Sequence, residues 1–83
     1  MAFHWLSFAD PGRPKGTQFL GAVIVEAPSF AAAVGLAHML GCNPGGECQG
    51  AEYPDDVPVP PAEFHGRLLD KAEIARLEAR MAT

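Results

Sequence analysis

The chain has 83 residues, 48% hydrophobic and 19% charged, with a formal net charge of −4. That length allows one domain with a modest core, and that composition argues against disorder. The acidic balance argues against non-specific DNA or RNA binding, which needs clustered Lys and Arg to neutralise phosphates.

The amino terminus, MAFHWLSFADP, lacks the basic stretch and long apolar core of a secretory leader. Cys42 and Cys48, the two cysteines, are therefore expected as reduced thiols in a cytoplasmic protein. The first predicted element is a strand over residues 3–9, with Phe3 and Trp5 on one face and Leu6 and Phe8 on the other. The loop DPGRPKGT follows. It carries Arg13 and Lys15, the only Arg or Lys before Arg67. Residues 18–26, QFLGAVIVE, read as a second strand, apolar on both faces and so expected to be central. The loop between the strands predicts a hairpin with a long, mobile tip.

A helix is predicted from the Ser29 N-cap to Leu40, with Gly41 as its left-handed stop. Phe30, Val34, Ala37 and Leu40 form one apolar stripe, and Ala31, Ala32, Leu36 and Met39 make the remaining circumference apolar too. A helix apolar all round is expected to be buried all round. So small a domain cannot do that alone, and a homo-oligomer, at least a dimer, is expected. Ala31 and Gly35 permit a close helix–helix approach in it. Glu26 and Pro28 break the apolar region into pieces too short to cross a bilayer, so no membrane association is expected.

ECQGAEY predicts a short third strand, and residues 54–64, with four prolines, an extended surface arm. Residues 68–83 close the chain with a helical segment. Asp70 and Glu73 suit a capping box, Ile74, Leu77 and Met81 form the apolar stripe, and Arg76 and Arg80 take the polar side. The expectation is one α+β domain over residues 1–83, in the order β-β-α-β-α, with an antiparallel sheet, a buried Ala-rich helix and an amphipathic C-terminal helix.

LGCNPGGEC, residues 40–48, invites three chemical readings. The amides of Gly45 and Gly46 suit an oxyanion, yet they follow a helix at its negative end, no Lys-Ser/Thr succeeds them, and Glu47 repels anions. Cys42 as a nucleophile needs a depressed pKa, which a helix C-terminus opposes; His38, one turn back, is its local base. His38, Cys42 and Cys48, with His65 as a fourth ligand, make a zinc alternative, although C-x5-C is not a usual zinc spacing. The plainest reading is a helix exit: Gly41 caps, Asn43-Pro44 turns, and Gly45-Gly46 leads into the next strand.

GTQFLGAVIVEA followed by LGCNPGGE, with the later RLLDKAE, resembles a group of short actinobacterial and phage proteins of uncharacterised activity. The resemblance spans roughly residues 5–52 and transfers no catalytic residue. A phage setting would imply a regulatory or counter-defence role, by analogy with small oligomers that sequester nucleotide signals.

The expected function is accordingly non-enzymatic, with no cofactor: an oligomeric module binding a phosphate-bearing nucleotide or similar anion. Arg13 and Lys15 would hold phosphate, Asn43, Gly45 and Gly46 would line the site, and Trp5 would stack a base. Phe8 and Tyr53 are further rings, Phe8 expected in the core and Tyr53 half exposed. The first alternative is a protein-interaction adaptor acting through the C-terminal helix or the Pro-rich arm; the second is the zinc or Cys/His protein.

Overall fold

The computed structural model describes residues 2–82. Strands β1 (Ala2–Ala9), β2 (Phe19–Ala27) and β3 (Glu47–Glu52) form an antiparallel sheet in the order β2-β1-β3. Helices α1 (Phe30–Met39) and α2 (Lys71–Met81) complete an α+β domain, with a short 3-10 turn at Ala62–Phe64.

The period-two alternation of β1 sorts two cores. His4, Leu6 and Phe8 are buried, and Leu6 and Phe8 pack with Val23, Val25, Ala33 and Ala37 in the cluster that includes α1. The second cluster joins Ile24, Phe64, Leu69 and Leu77, with Phe3, Trp5, Tyr53, Ile74 and Met81 at its margin. Three layers result, with the sheet between α1 and α2.

This layering corrects the placement of β2. Both its faces are covered, as its apolar run requires, but β1 is the central strand. The outer edge of β2 is instead closed by the stretch leading into α2. Leu69 exchanges two backbone hydrogen bonds with Ala22, at 2.7 and 3.0 Å, and the Gly66 N–H donates to the Ile24 carbonyl at 2.9 Å.

Helix α1 departs further from expectation. Its buried residues are Ala33 and Ala37, with Ala32, Val34 and Leu36 half buried. Phe30 is 44%, Leu40 52% and Met39 83% exposed. One chain therefore covers half of an uncharged helix, because alanine at positions 33 and 37 lets it lie close on the sheet while its larger side chains project past the contact. The Ser29 cap holds: its hydroxyl accepts from the Ala32 N–H at 3.1 Å.

The Pro-rich arm is anchored rather than merely wrapped over the surface. Pro60 is fully buried, and Phe64 at its end is a core residue with no exposed area. The guanidinium carbons of Arg67, Arg76 and Arg80 lie 5.9, 5.7 and 5.9 Å from the Phe64 ring centroid, a cation–π arrangement that shields the ring. Arg67 pairs with Glu73, and Arg80 with Glu63. The Asp70 carboxylate caps α2 by accepting from the Glu73 N–H at 2.8 Å. The capping box is thus half formed, since Glu73 turns to Arg67 rather than back to the cap.

Candidate functional site

The loop after α1 is a helix exit of defined geometry. Gly41, at φ 75°, donates to the His38 carbonyl at 3.0 Å, and the Cys42 N–H donates to the Ala37 carbonyl at 3.0 Å. These two bonds are a Schellman motif, and its left-handed residue is glycine for lack of a Cβ clash. The Asn43 side-chain oxygen then accepts from the Gly45 N–H at 2.8 Å, closing an Asx turn. Gly46 passes so close to the end of β1 that a Cβ there would sit 2.4 Å from the Ala9 oxygen.

This geometry spends part of the expected phosphate cradle within the loop. The Gly45 amide is committed to Asn43, and Gly46 packs on Ala9. Arg13 and Lys15 occupy the exposed β1–β2 turn, where Arg13 faces Asp10 at 3.7 Å and the Gln18 amide braces the Arg13 carbonyl at 2.9 Å. A cleft of about 320 Å³ does lie beside the exit loop. Its lining includes Cys42, Asn43, Pro44 and Arg67, and not Arg13 or Lys15. Trp5 lies on the opposite face of the sheet, with the second core cluster, so the structure does not bring it to the loop.

The metal and nucleophile readings also come apart. His38 is exposed on α1. Cys42 is buried, with its thiol donating to the Ala37 carbonyl at 3.4 Å. His65 lies at the outer edge of β2, its Nε2 2.7 Å from the Pro60 oxygen and its ring 4.8 Å from Phe3. Among the described residues no three His, Cys, Asp or Glu side chains converge as a metal site. Burial raises the pKa of Cys42, outweighing a backbone hydrogen bond that lowers it, and burial raises Cys48 as well. Both shifts favour the neutral thiol over the nucleophilic thiolate.

A different surface carries two half-exposed aromatics, Trp5 and Tyr53. Trp5 pairs across the ladder with Ala51, and Ser7 with Gln49. Trp5, Ala51, Glu52, Tyr53 and Pro54 line an almost wholly apolar cleft of about 250 Å³. Trp5 and Tyr53 continue into a second cleft, of about 290 Å³, with Leu77, Glu78 and Met81 of α2. Burial raises the Tyr53 pKa, so its hydroxyl stays protonated well above neutral pH.

These clefts flank strand β3, which ends the sheet. The Tyr53 N–H donates to the Phe3 carbonyl at 2.8 Å, so Tyr53 turns its backbone toward β1. By alternation, the N–H and C=O groups of Cys48, Gly50 and Glu52 point away from β1, along the outer edge. Sequence reading reached the faces of β1 by alternation. It missed this edge because strand order is a long-range property.

No protein family, curated protein or solved structure significantly matches the chain. No helix among the described residues is long and apolar enough to cross a membrane.

Proposed function

We propose that the chain is a non-enzymatic protein-interaction module whose working surface is the outer edge of β3 and the adjoining Trp5–Tyr53 clefts. One observation carries this reading: the sheet has one edge closed by its own chain, at Gly66–Leu69, while among the described residues β3 pairs on one side alone, beside exposed apolar relief. A row of outward backbone donors and acceptors is a template for an added strand, and pockets beside it give side-chain selectivity. The adaptor thus works through the sheet edge rather than through the Pro-rich arm, whose Pro60 and Phe64 are spent on the core.

The test is selection of an unbiased peptide library on the purified chain. Recovered peptides should lose binding to Cys48→Pro, which removes an outward N–H at an edge position, and keep binding to Lys15→Ala. Recovery of nothing, together with a rise in melting temperature on adding nucleotides, would favour the anion-binding reading at Arg13, Lys15, Asn43, Gly45 and Gly46.

A second reading concerns assembly. The outer face of α1, with Phe30, Met39 and Leu40 exposed and no Asp, Glu, Lys or Arg between Ser29 and Leu40, favours self-association through paired helices. A monomer at micromolar concentration by light scattering would rule it out.

A further inference from the structure

The edge of β3 carries a charge signature as well as a shape. From Glu47 to Asp56 the chain reads ECQGAEYPDD, with Glu47, Glu52, Asp55 and Asp56 and no basic residue. The register spreads these charges along the edge. Glu47 stands at one end, opposite Ala9, and Glu52 at the other, opposite His4. Beyond Glu52, Glu26 and Asp55 line one cleft of about 230 Å³ with Phe3, Tyr53 and Pro54. Glu26, Glu47, Glu52 and Asp55 are all exposed. Among the described residues the acids in salt bridges are Asp10, Glu63 and Glu73, and none of these four.

Resting on the interaction-module reading, we infer that the occupant of this edge is an extended, cationic peptide segment that adds as a strand to β3. Its Lys or Arg side chains meet Glu47 at one end and Glu52 with the Glu26–Asp55 cleft at the other. An apolar side chain between them enters the cleft of Trp5, Ala51 and Tyr53. Three features select this occupant. The outward backbone of Cys48, Gly50 and Glu52 demands an extended partner. The apolar cleft lies on the face that carries Gln49 and Ala51, so alternate partner residues address it. The acids at both ends favour a basic partner over a neutral one, and oppose a second copy of this strand. In an antiparallel β3–β3 pair the outward residues Cys48, Gly50 and Glu52 of the two copies face one another, and the acids of both copies are brought together with no basic residue between positions 47 and 56 to offset them. Electrostatic attraction of this kind also quickens encounter and weakens with salt.

Trp5, the single tryptophan, reports directly on the site. The experiment titrates the full chain with an octapeptide carrying Val at alternate central positions between Lys pairs at both ends (the Lys–Val peptide), so that either face has a Lys at each end, and with counterparts carrying Glu (Glu–Val) or Ser (Ser–Val) in place of Lys, while following Trp5 emission. A saturable blue shift with the Lys–Val peptide is expected, weakening with added salt. The double variant Glu47→Lys, Glu52→Lys changes two exposed side chains, and circular dichroism checks that its fold is kept. It should lose about tenfold or more in affinity for the Lys–Val peptide and gain affinity for the Glu–Val one. Equal binding of all three peptides to the parent chain would overturn the cationic specificity and leave the interaction-module reading standing. No response to any peptide would overturn both. A blue shift that depends on protein concentration alone, with a dimer in light scattering, would replace the peptide with a second copy.

Discussion

Trp5 on the central strand stands directly across the ladder from Ala51 on β3, so the chain's one tryptophan is set beside the open edge of its sheet. Large aromatics on an accessible surface are the usual anchors of binding energy. Trp5→Ala is predicted to cost about 2 kcal/mol or more of peptide affinity, roughly a thirtyfold loss. Because Trp5 is half buried, the fold should survive. Fluorescence anisotropy of a labelled peptide measures the first effect, and urea unfolding checks the second.

Phe64 should matter to the fold rather than to binding. It is fully buried, it joins the arm to α2, and three arginines lie over its ring. Phe64→Ala is expected to cost about 3–5 kcal/mol, a large share of what a small domain has. Chemical denaturation should show a much lower midpoint, and Arg76→Ala should show a small fraction of that loss.

The two glycines of the exit loop should behave differently. Both have positive φ, but a Cβ at Gly45 meets nothing within 4 Å, whereas at Gly46 it meets the Ala9 oxygen at 2.4 Å. Gly45→Ala is predicted to cost about 1 kcal/mol from backbone strain alone. Gly46→Ala should cost clearly more, since the start of β3 must move off β1. Urea midpoints of the two variants decide the order.

Alkaline pH should destabilise the chain through buried Cys42 and the partly buried Cys48 and Tyr53. Burial raises Cys42 and Cys48 above the ordinary thiol value of 9.0, and Tyr53 above 10.0. A raised folded pKa means that the native state holds its proton more tightly than the unfolded state does. The contribution is therefore fully present below about pH 9 and declines as pH rises through the folded values. Denaturation midpoints at pH 8 and about pH 10.5 should show the loss, and Cys42→Ala should show less of it. Cys42 should also react slowly with a disulfide reagent at neutral pH.

Self-association has its own variant. Met39, 83% exposed at the end of α1, touches little in the single chain. Met39→Lys should leave the melting temperature of a dilute sample unchanged and reduce the mass seen by light scattering. An unchanged mass would place the contact elsewhere.

Local chemistry made much of this molecule readable. The alternation in FHWLSFA sorted Trp5 from Leu6 and Phe8 correctly, and Gly41 announced the end of α1. Asp70 marked the start of α2. What escaped depends on residues distant in the chain. That β1 lies between β2 and β3 follows from pairing over some forty residues, not from β2 being the more apolar strand. Phe64 sits among prolines and carries no periodic signal, yet it closes the second core. An all-apolar helix has no polar side to set its orientation, so the residues of α1 do not tell that Ala33 and Ala37, rather than Phe30 and Leu40, face the sheet. The candidate site suffered most: Arg13, Lys15 and the Gly pair share a loop-rich look, whereas Trp5, Ala51 and Tyr53 meet only once the register of β3 is known.

Amide hydrogen exchange resolved by NMR at Cys48, Gly50 and Glu52 tests the central claim most directly. In the free chain these three amides should exchange fast, while those of Gln49 and Ala51, turned toward β1, should be protected. With the Lys–Val peptide bound, Cys48, Gly50 and Glu52 should slow by about tenfold or more, as donors in a new strand pair. Unchanged exchange at these three, with slowing confined to the loop at residues 41–46, would contradict the account and move the working surface to the helix exit.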